Sequence, residues 1–244
     1  MLTYAILQDR PREFLAATGR THDEFARVLP AFAAASTVLY PPDKTWAGQG
    51  RQRQSGGGAK GILSQMEDKL LFILIYQKTN PLQPMHGWQF ALSQPQTHSG
   101  IHHLLPVLQH ALATLGVAPE RDASRVATSP LALEGAPDGV LDGTERRRQR
   151  PTDAAQHKEL YSGKKKTPTD KNLVLVNEHT TKVVYLGPTV AGKTHDKKAA
   201  DAAQIGYPTN ATLGKDTGFQ GYEPAGVLTQ QPKKTARSGV ERGG

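Results

Sequence analysis

Two aspartates are the residues of this 244-residue chain best suited to carry chemistry. Asp142 ends the apolar, strand-like run GVLD, Asp216 ends a second run, ATLGKD, and a turn-prone pair follows each of them. We predict that both carboxylates lie at strand ends, where they can share divalent metal ions, because Mg²⁺ prefers hard oxygen ligands. From spacing alone, a turn-capping role is the commoner outcome for either aspartate.

A metal-binding pair of carboxylates would suit phosphodiester chemistry. Two Mg²⁺ ions about 3.5–4 Å apart can stabilise charge on both the entering and the leaving oxygen. We expect Asp142 to bridge the ions and Asp216 to complete the shell of one of them, with Mg²⁺ or Mn²⁺ as the cofactor. Gly143 would leave room for close approach of a DNA backbone.

The charge of the chain favours a polyanionic partner. The formal charge is +8 with a pI near 9.6, and basic residues concentrate in the runs 146–150 and 164–166. A solvated surface is the alternative for each run. The absence of cysteine from the sequence excludes disulfides and thiolate metal sites. With no signal-peptide pattern and a longest apolar run (70–76) too short to cross a bilayer, we expect a cytoplasmic protein without a membrane partner.

The first half of the chain has helical patterns. Thr21 and Glu24 have capping-box spacing before a helix predicted over 22–35, and a second helix is predicted from a Ser64 cap, with an apolar block that is buried on nearly every side. Between them, residues 41–61 have the composition of a mobile loop. The basic side chains of that loop could touch phosphate, namely Arg51, Arg53 and Lys60.

A helix-turn-helix is predicted within 64–115. A short helix near 81–91 precedes a longer one near 94–115, which has one apolar face and which Pro106 should kink. Such a helix can enter a major groove and contact base edges and phosphates. The polar face predicted to contact DNA carries Gln94, Gln96, Thr97, His98 and His102, with Gln109 further along. An ordinary three-helix bundle whose polar face meets only water is the alternative.

The second half has strand-like patterns. Residues 117–137 lack a sustained period and are interpreted as a linker between a helical region, 1–116, and a domain at 138–244. That domain is predicted to contain strands at 139–144, 172–178 and 181–188, a helix near 195–205 and a strand ending at Asp216. Three strands, a helix and a fourth strand are the order expected of a ribonuclease-H-like fold.

Four sequence words occur in an order that resembles one family. They are DGTERRRQRP at 142–151, YSGKKK at 161–166, HDKKAAD at 195–201 and DTGFQGY at 216–222. Together they resemble the DDE transposases of bacterial insertion sequences, in the branch named after insertion sequence five. The resemblance implies a helix-turn-helix region (α) followed by a ribonuclease-H-like mixed-sheet (α/β) domain.

The resemblance also implies a function and its partners. It implies binding to the terminal inverted repeats of the element as double-stranded DNA, and metal-dependent strand cleavage and transfer in the bacterial nucleoid. A homo-oligomer, or pairing with a full-length transposase, would follow. It places His195 and Asp196 near the site and Glu145 in a matched word, where Glu145 could also pair with Arg147 or Arg148. Phosphate contacts are assigned to Arg147, Arg148, Lys164, Lys165 and Lys166.

One feature of the family has no clear counterpart in this sequence. The third acid of the family lies on a later helix, whereas only Glu223 and Glu241 lie beyond Asp216, and neither has a convincing setting. We therefore expect a C-terminally truncated transposase that lacks the last part of its catalytic domain and binds DNA without cutting it alone. A DNA-binding regulatory protein or inhibitor is the alternative function.

Two rival motifs are weaker. Residues 187–194, GPTVAGKT, fit the P-loop expression, in which Lys193 would reach nucleotide phosphates, but the parallel strands of a nucleotide-binding sheet are not evident. His98 and His102 have the i, i+4 spacing of metal ligands, but no further ligand stands beside them. We therefore expect no nucleotide binding at 187–194, and we expect His98 and His102 to face a DNA groove or solvent.

Overall fold

The computed structural model describes residues 1–44, 49–52 and 61–232. The chain forms two compact units, Met1–Ala118 and Pro119–Gly244. In the predicted loop, Arg51 donates from Nε to the Lys44 carbonyl at 2.7 Å, whereas Arg53 and Lys60 lie outside the described residues, as does Glu241. Within the described ranges, the helices are all too short or too polar to cross a membrane.

The first unit is built from six helices in its described part. Their apolar residues form one core around the fourth helix. The helices are α1 Tyr4–Leu7, α2 Pro11–Thr18, α3 His22–Leu39, α4 Met66–Thr79, α5 Gln83–Gln89 and α6 Gln94–Thr114.

Local capping signals position two of these helices. The predicted capping box of α3 is confirmed, since the Glu24 amide donates to Thr21 Oγ1 at 3.2 Å and the Thr21 amide donates to Glu24 Oε2 at 2.8 Å. A second capping box starts α6, where Ser93 and Gln96 exchange the equivalent bonds. The predicted Ser64 cap of α4 is wrong, because that helix begins at Met66 after Gln65, which makes no side-chain cap bond.

The centre of the first unit is the apolar block of α4. Leu70, Leu71, Phe72 and Ile73 are all fully buried, as the sequence pattern predicted. His86 from α5 is also fully buried, between the Phe72 and Phe90 rings. Burial disfavours the charged imidazolium and lowers the pKa of His86 to about 4. The α5 helix is therefore anchored by a neutral aromatic side chain.

The second unit combines one sheet with short helices. Its strands are β1 Gly139–Arg147, β2 Tyr161–Ser162, β3 Thr167–Asn177, β4 Val183–Leu186, β5 Val190–Ala191, β6 Thr212–Lys215 and β7 Leu228–Gln230. Its α-helices are α7 Pro130–Leu133, α8 Ala154–Leu160 and α9 Asp196–Ala203.

The sheet is mixed. Its path runs β2, β3, β1, β6, β7, with β4 and β5 paired to β3 as well. The pairs of β3 with β1, β4 and β5 are antiparallel, while β6 is parallel to both β1 and β7. Helix α9 joins the antiparallel strands to the parallel ones. The three strands predicted before it correspond to β1, β3 and β4 and the fourth to β6, while β2, β5 and α8 were not predicted. This arrangement is consistent with a DDE nuclease-like domain.

Two stretches differ from their predicted structure. Strand β1 does not end at Asp142 but continues to Arg147, because Gly143 and the residues after it keep pairing with β3. The predicted linker contains a 3₁₀ helix, Ala123–Thr128, and α7, and their Val126, Leu131 and Ala132 side chains are buried in the second core. Too few apolar positions occur there to create a readable period, yet they suffice to cover one part of the sheet.

Candidate functional site

Asp142 lies on strand β1, and Asp216 directly follows the adjacent parallel strand β6. The register pairs Val140 with Gly214 and Leu141 with Lys215. Asp142 and Asp216 are the residues that directly follow the last of these pairs. Leu141 and Lys215 are buried, whereas both aspartates are exposed. Because successive side chains of a strand alternate between faces, the two carboxylates project from the exposed side at neighbouring positions.

Each of these carboxylates is oriented by a nearby backbone amide. The Gly143 amide donates to Asp142 Oδ1 at 2.7 Å, and the Gly218 amide donates to Asp216 Oδ1 at 2.8 Å, where Asp216 caps the 3₁₀ helix Thr217–Phe219. Within the described parts of the chain, the Oδ2 atoms of both residues make no hydrogen bond. The pair therefore has oxygens available for a cation.

A charged cluster lies beneath this pair, on the covered face of the sheet. Lys171 on β3 is 5% exposed, and its Nζ donates to Asp196 Oδ1 at 2.8 Å and to the Thr194 carbonyl at 2.7 Å. Glu145, which faces Lys171 across β1 and β3, has Oε1 3.5 Å from the same Nζ. We call Lys171, Glu145 and Asp196 the buried charge cluster.

Glu145 stays ionised within this cluster. Burial alone would raise the pKa of Glu145, but hydrogen bonds from Ser162 and Thr169 and the charge of Lys171 outweigh it and lower that pKa. The alternative pairing of Glu145 with Arg147 or Arg148 is wrong, because Arg148 instead binds Asp170 at 3.0 Å. Cross-strand neighbours, rather than residues near in sequence, decide the partner of Glu145.

Asp196 is the member of the cluster that lies against both aspartate segments. It is the first residue of α9, after the N-cap residue His195. Its Oδ1 and Oδ2 lie 2.7 Å from the positions that Cβ atoms would occupy on Gly143 and Gly218, respectively. Sequence reasoning did not single out Lys171, although its position two residues before the buried Leu173 places it on the same face of the strand.

The oxygens present fit a hard divalent cation. Mg²⁺ keeps several waters and needs only a few carboxylates, which two neighbouring exposed aspartates can supply. Across the described ranges, His, Asp and Glu side chains form no group of three or more that could hold a metal ion. Asp142 and Asp216 remain the candidate ligands that the sequence predicted.

Exposed basic residues lie toward one end of strand β3. Arg147 pairs with Thr169, the Arg148 amide donates to the Pro168 carbonyl, and both arginines are exposed. The turn between β2 and β3 immediately precedes this end of β3. Its three lysines are exposed as well, namely Lys164, Lys165 and Lys166. Arg148 is partly engaged by Asp170, so the three lysines and Arg147 are the cations best available to phosphate.

The polar face of α6 is exposed at four of its five predicted positions. Gln94, Gln96, His98 and His102 are exposed, and the Gln96 side chain accepts the Ser93 amide at 2.9 Å. The rings of His98 and His102 lie 4.3 Å apart, and His98 Nδ1 contacts Gln83 Nε2 at 3.3 Å.

Thr97 is the exception, and its predicted DNA contact is wrong. It is fully buried, and its hydroxyl donates to the Ser93 carbonyl at 2.9 Å. Its Oγ1 lies 2.4 Å from the position of a Cβ atom on Gly87, so the side chain fills the contact between α5 and α6. Thr97 is therefore a packing residue at the edge of the polar face.

The P-loop interpretation is wrong. Residues 187–194 are not a loop that cradles phosphate: the Gly187 and Gly192 amides donate to the β3 carbonyls of Leu173 and Thr169, and β5 lies within the segment. Amides engaged by a neighbouring strand cannot surround a nucleotide phosphate.

Comparison with known proteins supports a nuclease class. Residues 141–242, most of the second unit, match the sequence model of the DDE superfamily endonuclease family. The matched segment includes both aspartates and the buried charge cluster, and it supports a DDE-type transposase or endonuclease. No curated protein and no solved structure matches the chain.

Proposed function

We propose that this protein is a transposase of a bacterial insertion sequence, of the insertion-sequence-five branch, that binds the ends of its element. Its second unit would hold Mg²⁺ or Mn²⁺ at Asp142 and Asp216. Its first unit would contact terminal inverted repeats through the exposed face of α6. Strand cleavage and transfer would require a third acidic residue beyond those two aspartates.

The observation that carries this proposal is the parallel register of β1 and β6. Leu141 and Lys215 are paired and buried. Asp142 and Asp216, which directly follow them, therefore present their carboxylates at neighbouring exposed positions. When bound there, a divalent cation would stabilise negative charge on the phosphodiester oxygens that enter and leave. The protein itself orients the carboxylates through the Gly143 and Gly218 amides.

Replacing either aspartate by its amide is the direct test of the metal site. We expect Asp142→Asn and Asp216→Asn each to weaken Mn²⁺ binding by at least about tenfold, because each removes one charged oxygen ligand. Electron paramagnetic resonance of free Mn²⁺ measures the affinity. Asp201→Asn is the control, since Asp201 is an exposed acid that pairs with Lys197 on α9. Equal Mn²⁺ affinity in all four proteins would refute the site.

DNA binding is proposed to use two exposed surfaces of different kind. On α6, the amide and imidazole side chains of Gln94, Gln96, His98 and His102 can exchange hydrogen bonds with base edges. In the second unit, Arg147, Arg148 and the lysines of the β2–β3 turn can contact phosphates without reading sequence. A smaller contribution is expected from Arg148 because Asp170 already binds it.

The three lysines of the β2–β3 turn should set part of the salt dependence of DNA binding. We expect the joint change of Lys164, Lys165 and Lys166 to Gln to reduce the slope of log affinity against log salt by roughly 2–3, since each phosphate contact contributes about 0.9. Fluorescence anisotropy with labelled DNA from the element ends measures the slope. Lys182→Gln changes an exposed lysine that Glu134 already pairs, and should leave the slope unchanged. An unaltered slope in the triple variant would exclude this turn from the DNA contact.

The third acid decides between this function and a second candidate. Glu223 is held at 2.6 Å by Lys215, whose side chain is fully buried, and that contact together with the Thr229 hydroxyl lowers the pKa of Glu223. We infer that Glu223 does not join Asp142 and Asp216. The engagement of Glu223 by Lys215 favours a DNA-binding regulatory protein as the second candidate. Cleavage of end-containing DNA by this chain with Mg²⁺ would decide for the enzyme.

A further inference from the structure

The carboxylate of Asp196 has a fixed orientation. Its Oδ1 receives a charged hydrogen bond from Lys171 at 2.8 Å. Lys171 cannot swing away easily, because its Nζ also donates to the Thr194 carbonyl and lies 3.5 Å from Glu145 Oε1, with only 6% of its side chain exposed. A strand, β3, therefore holds the first residue of helix α9 in one place.

Two glycines leave the space that this carboxylate fills. The Cβ positions of Gly143 and Gly218 lie 2.7 Å from Asp196 Oδ1 and from Asp196 Oδ2, respectively. Neither glycine has the left-handed φ that favours glycine for backbone reasons. A Cβ atom at either position would therefore require the Asp196 carboxylate to move.

Both glycines belong to the segments that carry the candidate ligands. Gly143 directly follows Asp142 and donates its amide to it, and Gly218 donates its amide to Asp216. Asp196 Oδ2 and Asp216 Oδ1 both lie within 2.9 Å of the Cβ position of Gly218. The Asp196 carboxylate consequently contacts the two amide-bearing residues that orient the two aspartates.

The alternation of side chains along β1 decides how Asp196 acts. Because Asp196 lies against the Cβ side of Gly143, it is on the face of Leu141 and Glu145, whereas the Asp142 side chain points to the opposite face. One of its oxygens is already bound by Lys171. This arrangement indicates that Asp196 supports the segments that carry Asp142 and Asp216 and does not itself bind the metal ion.

We propose that Asp196, held by Lys171, is a positioning residue that fixes the separation of Asp142 and Asp216 by filling the space between Gly143 and Gly218. The inference rests on the proposed metal site at the two aspartates. It adds a residue on helix α9 to that site and explains why a glycine follows each aspartate within two residues. Loss of the support should disorder the metal ligands without unfolding the domain.

The test uses the full chain and Mn²⁺ as the probe. Asp196→Asn keeps the size of the side chain but removes its charge, whereas Gly218→Ala displaces the carboxylate without changing any charge. We expect both variants to weaken Mn²⁺ binding roughly ten- to hundredfold, as changes to residues that support metal ligands do. Asp201→Asn, which removes a carboxylate from the same helix at an exposed ion pair, should leave the affinity unchanged.

A second measurement does not depend on metal. Nuclear magnetic resonance of the metal-free protein should show the amide signals of Gly143 and Gly218 shifting together in Asp196→Asn and staying in place in Asp201→Asn. If those amides stay in place, or if they shift while Mn²⁺ affinity is kept, the positioning role is overturned. If the wild type binds Mn²⁺ independently of Asp142 and Asp216, the proposed metal site fails. A joint shift of the two amide signals would then show that the Asp196 contact is structural only. That outcome also overturns the positioning role.

Discussion

Lys171→Met is expected to destabilise the second unit by about 3–5 kcal/mol, the usual cost of removing one partner from a buried ion network. Lys171 is 5% exposed and is the cation of the buried charge cluster. Without it, Glu145 and Asp196 are like charges on one covered face, and the Thr194 carbonyl loses its donor. Urea unfolding followed by circular dichroism measures the loss.

Two comparisons isolate the buried ion network from a general effect of losing a lysine. Lys197→Met removes a partly exposed lysine that pairs with Asp201 at i+4, and should cost about 1 kcal/mol or less. Adding Glu145→Gln and Asp196→Asn to Lys171→Met should recover part of the stability, because no buried charge is then left unpaired. If Lys171→Met and Lys197→Met unfold at the same urea concentration, the buried charge cluster does not stabilise the unit.

The two candidate ligands could be found from sequence, but their surroundings could not. Asp142 and Asp216 follow apolar, strand-like runs, and such runs are local patterns. The length of β1 depends on its pairing with β3, whose partner residues are 22 to 38 positions away in the chain. The pairing of β1 with β6 joins residues 74 positions apart. Lys171 and Asp196 are brought together by the same non-local packing, so neither residue shows its partner in its own sequence neighbourhood.

In the first unit, local signals predicted most of the helices. The capping box of Thr21 and Glu24 and the apolar block of α4 depend on spacings of a few residues, which the sequence displays directly. Thr97 was misread because helical spacing alone puts it at the border of the polar face. Thr97 is excluded from solvent because its own side chain packs against Gly87, a residue of another helix.

The glycines illustrate the same limit. A glycine in a turn can serve the backbone, and then a positive φ reveals it, as at Gly19 and Gly221. Gly143 and Gly218 instead serve a close approach by a carboxylate from a different element, and Gly192 serves the approach of Thr169. The sequence shows the glycine in each case, while only the packed structure shows which role applies. Gly192, the second glycine of the P-loop pattern at 187–194, is of this second kind.

Gly87→Ala is expected to destabilise the first unit by about 2–3 kcal/mol, in the range for inserting a methyl group where none fits. The new Cβ would lie 2.4 Å from Thr97 Oγ1 and 2.6 Å from the Leu92 carbonyl oxygen. The carbonyl is backbone in the turn between α5 and α6, so relief requires the helices to separate. The preference of helices for alanine over glycine, about 1 kcal/mol, offsets only part of this cost.

The matched control is Gly100→Ala within α6. There the nearest atoms to the added Cβ belong to the Phe72 ring at 3.4 Å, so helix preference should dominate and stability should be kept or raised. Thr97→Ala in the Gly87→Ala background removes the hydroxyl but not the Leu92 carbonyl, and so should restore only part of the loss. Thermal unfolding by calorimetry measures all four proteins. If Gly87→Ala and Gly100→Ala unfold at the same temperature, the close contact of Gly87 with Thr97 and Leu92 does not constrain the turn between α5 and α6.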